Sequence, residues 1–322
     1  MSAAKNAGNG ANGAAKVAKS AAKARGGARK IKMTPAEIAF DAANAAFLFL
    51  LMAVTLFPFV YVINSSISDP IALMQARGIM ILPKGVQFYA YRQVFQNPML
   101  LRGYANTVFL VLAGTALNVA MTSIGAYVLS RPHFMLRNAV MLFISFTMFF
   151  SGGLIPSFVL VQGLGIYDSF LALLLPTAMS AWNLVIMRTS FAAIPISLEE
   201  SARLDGARDL TILARIIIPL SMPVVSVMIL FYGVGHWNSW FNAMIYLRDR
   251  ALYPLQLILR EVLLASQTDD MLIDMLDDGV RPGLKEQVKY ATVIVATLPI
   301  LCVYPFLQKF FVKGVIVGAI KQ

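Results

Sequence analysis

The chain has 322 residues, of which 58% are apolar and only 13% charged, and it carries a net charge of +11. A soluble globular domain carries about 25% charged residues, so half that share leaves too little polar surface to cover a globule in water. A single cysteine, Cys302 in an apolar stretch, excludes a disulfide scaffold and a Cys-based zinc site, and two distant histidines, His133 and His236, argue against a metal centre. No metal-binding residue is expected.

Residues Met1 to Lys32 are mostly Ala, Gly, Lys, Arg and Asn. With almost nothing large to bury, this tail, drawn here to residue 38, is expected to be disordered, basic and cytoplasmic. Its charge could suit nucleic acid, but a topogenic tail facing anionic lipid explains the same residues, and no nucleic-acid partner is expected.

Runs without Asp, Glu, Lys or Arg locate the hydrocarbon, because a bilayer core needs about 20 consecutive apolar helical residues. Six such runs occur: Ala42 to Arg77 (spanning part Ala42 to Ile63), Gly103 to Ser130, Asn138 to Tyr167, Ser169 to Met187, Ile216 to Leu247 and Tyr290 to Gln308. Each must be a helix, since a lone strand in lipid leaves its backbone groups unpaired. The expectation is an all-α integral membrane domain over residues 39–322, with spans near 42–64, 104–129, 138–161, 169–187, 219–247 and 290–311.

Charge in the connections orients the bundle. The segments before the first span, between the second and third, between the fourth and fifth and after the sixth carry the whole +11 excess, and the opposite connections sum to zero. The positive-inside rule therefore places both termini in the cytoplasm. Two outer segments are longer than turns, Asn64 to Arg102 and Tyr253 to Lys289. The second holds Asp269, Asp270, Asp274, Asp277 and Asp278, which lack the ligand spacing of an EF-hand and read as a solvated helix face.

The cytoplasmic segment 188–218 contains the run from Pro195 to Leu210. Ser197 with Glu200 three residues on predicts a capping box and a helix starting at Leu198, stopped by Gly206 in a left-handed conformation. Asp209 is placed to cap a second helix, which Pro219 ends or kinks. Helix, sharp turn and helix, joined directly to the fifth span, form an element that can transmit a push.

Glu200-Ser201-Ala202, Gly206, Ile216 and Ile218-Pro219 resemble the Glu-Ala-Ala, Gly and Ile-x-Leu-Pro signature of permease subunits of binding-protein-dependent ABC importers, with Ser201 and Ile218 as small or apolar departures. The flanking Asp205-Gly206-Ala207 and Pro219 to Pro223 resemble the carbohydrate branch; Pro83 to Phe95 and the terminal run from Tyr304 resemble oligosaccharide and polysaccharide permeases. The narrowest resemblance is to a permease of an alginate-oligosaccharide importer. It implies a type I ABC importer fold with both ends in the cytoplasm, set in lipid in a bacterial cytoplasmic (inner) membrane. The implied partners are a second related permease, two cytoplasmic ATPase subunits and an extracytoplasmic solute-binding protein, with an oligosaccharide as cargo. On that pattern Leu198, Glu199, Glu200, Ser201, Ala202, Arg203, Leu204, Asp205 and Gly206 couple to the ATPase, and the tail after Lys313 lies near it.

No Walker A pattern occurs, so ATP and magnesium are expected on a partner and no catalytic residue or cofactor in this chain. The spans lack the acidic and basic residues that ion-coupled carriers and channel charge rings use, which argues against both. The remaining alternatives are an integral-membrane enzyme acting on lipid-linked sugars, for which the acidic cluster is the one candidate centre, and a passive channel.

Sugars are held by amides, hydroxyls and aromatic faces. The fifth span offers all three between Phe231 and Asn242, and a continuous helix there would put Gly233, Trp237 and Trp240 on one face, with Asn238 and Asn242 paired beside it. The substrate-pathway candidates are Trp237, Asn238, Trp240, Asn242, Tyr232 and Asn183, with Asn118 and Trp182 as secondary ones and His236 as a packed neutral residue. The competing reading is that these amides and glycines only pack helices together. A uronate would need a cation, and none lies within the predicted spans.

Overall fold

The computed structural model describes residues 34–76, 80–273 and 282–319, apart from the side chains at 265–282, 303–304 and 306–319. The Met1–Lys32 tail and the side chains of the Asp269–Asp278 cluster therefore lie outside the described residues. The chain forms two units, Met1–Pro58 and Phe59–Gln322. Among the described residues all regular secondary structure is helical.

The first unit contains most of α1 (Pro35–Ile67), apolar all round and exposed along its whole length there. Such a helix suits lipid or a neighbouring helix rather than water. It begins at Pro35, inside the stretch assigned to the tail, because Thr34 and Glu37 close a capping box: Thr34 N–H donates to Glu37 Oε2 at 2.7 Å, and Glu37 N–H donates to Thr34 Oγ1 at 3.3 Å.

In the second unit, α2 (Pro70–Gln75) and α3 (Tyr89–Gln96) precede α4 (Pro98–Ser130), which packs against α8 (Ala181–Ala192), α12 (Met222–Trp237) and α14 (Leu255–Ile273). The buried residues Gly103, Thr107, Gly114, Asn118, Thr122 and Ala126 explain why: small or short polar side chains four positions apart, except across Leu110, let neighbouring backbones approach closely. A Cβ on Gly114 would lie 2.4 Å from the His236 ring, so only glycine leaves room there.

Three of the predicted spans are broken. Residues 138–161 fold as α5 (Arg137–Phe149) and α6 (Leu154–Gly163), bent by 117° around Gly153, whose φ of +85° favours glycine. The fourth run splits into α7 (Phe170–Leu174) and α8, interrupted by Pro176. The fifth bends by 91° between Leu220 and Met222, where Pro219 and Pro223 remove donors, and stops again at Asn238 before α13 (Phe241–Tyr246). Two helices, α1 and α4, are long and apolar enough to cross a membrane alone, and three bent pairs meet that test jointly, among the described residues. The sixth run lies within α15 (Pro282–Ala319).

Candidate functional site

Between α8 and α12 the chain forms α9 (Ser197–Leu204), a turn at Gly206, α10 (Asp209–Ile212), a π-helical turn over Leu213–Ile217, and α11 (Ile218–Leu220). Gly206 has φ of +82°, and Ala207 N–H reaches back to the Ala202 carbonyl at 2.9 Å, which is the left-handed helix stop expected there. The two predicted caps do not form. Ile196 already has helical angles, so Ser197 sits inside the first turn and cannot cap it. Asp209 is likewise inside its helix and accepts from the Arg203 guanidinium at 2.7 Å instead.

Leu198, Glu200, Ser201, Arg203, Leu204, Asp205 and Gly206 are exposed, and Ala202 packs against the core of α4, α8 and α12. Leu204 is 89% exposed and Leu210 70%, an apolar rim that water disfavours and a partner surface would cover. Glu199 departs from the expectation. It points inward and pairs with Arg131, just past the end of α4, at 2.6 Å, with side-chain exposures of 4% and 9%. Tyr127 donates its hydroxyl to Glu199 at 3.4 Å and lies under the Arg131 guanidinium at 5.0 Å; Arg131 also reaches the Phe191 carbonyl at 3.5 Å. Arg188 donates to the Leu129 carbonyl at 3.2 Å. The exposed part of α9 is thus fastened to α4 through a buried ion pair. Sequence reasoning missed Arg131 because its partner is far along the chain and nothing local marks the pair.

Two hollows flank α12. The first, of about 890 Å³, is lined by apolar residues of α4, α10 to α12 and α15, among them Gly233, Trp237, Leu112 and Ile229. The second, of about 500 Å³, is lined by Thr177, Ser180, Asn183, Tyr232, His236, Asn238, Ser239, Trp240 and Asn242. The break at Asn238 divides the predicted aromatic face: Trp237 stays on α12 beside Tyr104 and faces the apolar hollow, while Trp240 lines the polar groove. Five of the six pathway candidates share that groove, and Trp237 and the secondary candidate Trp182 are not among its lining residues.

The groove is held by a chain of hydrogen bonds. Asn118 donates to the Thr177 carbonyl, which leaves its Oδ1 as acceptor, so His236 Nε2, 2.6 Å away, carries the proton. Tyr232 accepts from Ser180 N–H at 3.1 Å and contacts the Thr122 hydroxyl at 2.7 Å. Thr177, Ser180 and Ser239 were missed; two hydroxyls shortly after Pro176 in an apolar stretch, and one beside Asn238, were the available signal.

Residues 120–317 match the family described as binding-protein-dependent transport system inner membrane component. Protein LplC of Bacillus subtilis (strain 168) is 40% identical over 89% of this chain and 97% of its own length. The polygalacturonan/rhamnogalacturonan transport system permease protein YtcP of the same organism is also 40% identical, over 88% of this chain and 98% of its own. A crystal structure of a bacterial ABC transporter involved in the import of the acidic polysaccharide alginate contains a chain with a TM-score of 0.80 and 31% identity, covering 88% of this chain and all of that one. Fold, signature and relatives agree: the chain belongs to the binding-protein-dependent transport system inner membrane component family, as a permease of the ABC importer type.

Proposed function

We propose that this chain is one of two permease subunits of an ATP-driven importer of oligosaccharides or polysaccharides in a bacterial cytoplasmic membrane. Its partners are a second permease, two ATPase subunits that hold ATP and magnesium, and an extracytoplasmic solute-binding protein. The supporting observation is that one helix serves both ends. Asn118 on α4 braces the polar groove through His236, and 13 positions on, about 20 Å along a helix, Arg131 grips α9. A displacement of α9 by a moving ATPase is carried into the wall of the groove, because the buried pair lets α9 and α4 move only as a unit.

The groove suits a sugar. Asn183, Asn238, Asn242, Ser180 and Ser239 offer donors and acceptors, and Trp240 and Phe241 offer aromatic surface. The apolar hollow beside it has almost no hydrogen-bonding groups and suits a neighbouring helix or lipid. An enzyme acting on lipid-linked sugars finds no support in YtcP, described as a transport system permease, or in the matched ABC transporter structure.

The test is reconstitution in liposomes with the ATPases and second permease, measuring hydrolysis and uptake as loaded binding protein is titrated in. Saccharide uptake that requires ATP is expected, falling about tenfold or more in Trp240→Ala with Asn183→Ala. Uptake down a gradient without nucleotide would establish the passive channel instead, and normal uptake in the double variant would remove the groove from the pathway.

A further inference from the structure

The outer segment between α1 and α4 carries a helix whose two faces differ in character. α3 turns Ala90 and Val94, one turn apart, into a core shared with Leu100 of α4, Leu255 of α14 and Ala291 of α15. Its opposite face is uncovered, yet it is not the polar surface that water selects. Arg92 stands at the centre of that face, framed at three and four positions by Phe88, Tyr89 and Phe95, whose rings are 66%, 49% and 56% exposed. Arg92 is itself exposed, as are Lys84 and Arg102 on either side of the helix, and among the described residues none of the three has a carboxylate partner. The segment is pinned to the scaffold. Asn64 Nδ2 donates to the Ile81 carbonyl at 2.6 Å, Asp69 N–H donates to the Lys84 carbonyl at 2.8 Å, and Gln287 Nε2 on α15 donates to the Gln87 carbonyl at 3.4 Å.

The height of α3 follows from its attachment. One residue, Asn97, separates it from α4, at the end of that helix remote from Arg131 and α9. The charge-free run of α4 begins at Gly103, five positions after Pro98 and so about 8 Å deeper. A bilayer measures about 30 Å through its hydrocarbon and about 40–45 Å with its headgroups, so α3 falls in the headgroup layer of the leaflet opposite α9. Aromatic rings around a cation suit that layer, because the rings enter the acyl boundary while the guanidinium meets phosphate. A binding protein that docks and leaves would return these rings to water in every cycle, whereas lipid covers them permanently.

We infer that α3 is an interfacial helix, seated in the outer leaflet through Phe88, Tyr89 and Phe95, with Arg92 bound to the phosphate of an anionic phospholipid. The inference adds a lipid partner to the permease and does not depend on which solute is carried.

The experiment uses the full complex in vesicles of equimolar phosphatidylglycerol and phosphatidylcholine, with a benzophenone-bearing phenylalanine in place of Phe95 or, separately, of Phe88. On illumination the expected product is a phospholipid adduct of this chain, identified by mass spectrometry. The ratio of phosphatidylglycerol to phosphatidylcholine adducts is expected to fall about fivefold in Arg92→Gln, the worth of one cation beside an anionic surface, and to hold in Arg92→Lys. Adducts to the second permease or to the binding protein in place of lipid, or no adduct at either position, overturn the assignment of this surface. An unchanged ratio in Arg92→Gln overturns the role of Arg92. Should that variant fail to assemble, a wild-type ratio that persists in about 1 M salt, where charges are screened beyond about 3 Å, does the same.

Discussion

The Arg131–Glu199 pair can be tested quantitatively. Both side chains are almost fully enclosed, at 9% and 4% exposure, so water screens neither charge, and Glu199→Gln leaves the guanidinium, held by the Tyr127 ring at 5.0 Å and the Phe191 carbonyl at 3.5 Å, without a counter-charge. Breaking a buried pair from one side costs about 3–5 kcal/mol, because the remaining charge stays desolvated. The exposed pair Arg203–Asp209, with 56% and 66% exposure, provides the internal comparison. Its loss in Asp209→Asn is expected to cost at most about 1 kcal/mol. Chemical denaturation of the purified complex, followed by tryptophan fluorescence, should therefore separate the two variants by about 2 kcal/mol or more. The double variant Arg131→Met with Glu199→Leu removes both charges and should recover most of the loss. If α9 acts through this pair, the double variant assembles normally but hydrolyses ATP without matching uptake. Equal stability in Glu199→Gln and Asp209→Asn, or a double variant that fully retains coupling, would refute the clamp.

Three further outcomes are expected. Gly206→Val forces a β-branched residue to φ of +82°, where L-residues pay about 1–2 kcal/mol, and should leave the chain inserted while lowering ATPase co-purification; unchanged binding and transport would count against α9 as the docking element. Trp237 Nε1 is buried without a hydrogen-bond partner among the described residues, so Trp237→Phe removes an orphan donor and should leave thermal stability equal or higher, whereas Trp237→Ala should lower it; a large loss in the phenylalanine variant would reveal a bond to Nε1. Asp168, with φ of +57°, accepts backbone N–H groups of Asp249 and Arg248, and these bonds hold its carboxyl below the usual carboxylate range. A depressed folded pKa means that the stabilisation is complete above about pH 4–5 and is lost as pH falls through the lower folded value, so protection of the 248 and 249 amides from hydrogen exchange should hold across neutral pH and fail only in acid. Loss of protection near pH 6 would contradict this.

The resemblance of its signature identified a permease; sequence physics alone predicted a helical membrane chain, the turn at Gly206 and five of the residues that line the groove. Those features rest on local physics: apolar run length, the charge bias of connections, and the freedom of glycine at positive φ. Where helices break, which way Glu199 faces and which cation meets Trp240 depended on contacts between distant residues. Asn238 reads as helical until α12 stops at it, which sends Trp237 to the apolar hollow and Trp240 to the polar groove. Glu199 and Glu200 are indistinguishable as neighbours in sequence, and only the end of α4 arriving with Arg131 decides that the first is buried and the second exposed. Arg260, whose guanidinium carbon lies 3.9 Å from the centroid of the Trp240 ring, belongs to an outer segment with no visible link to the fifth span until Thr107 and Asn106 fix α14 onto α4. Side-chain type and spacing set what each residue can do; the meeting of α4, α9, α12 and α14 sets which of them do it together.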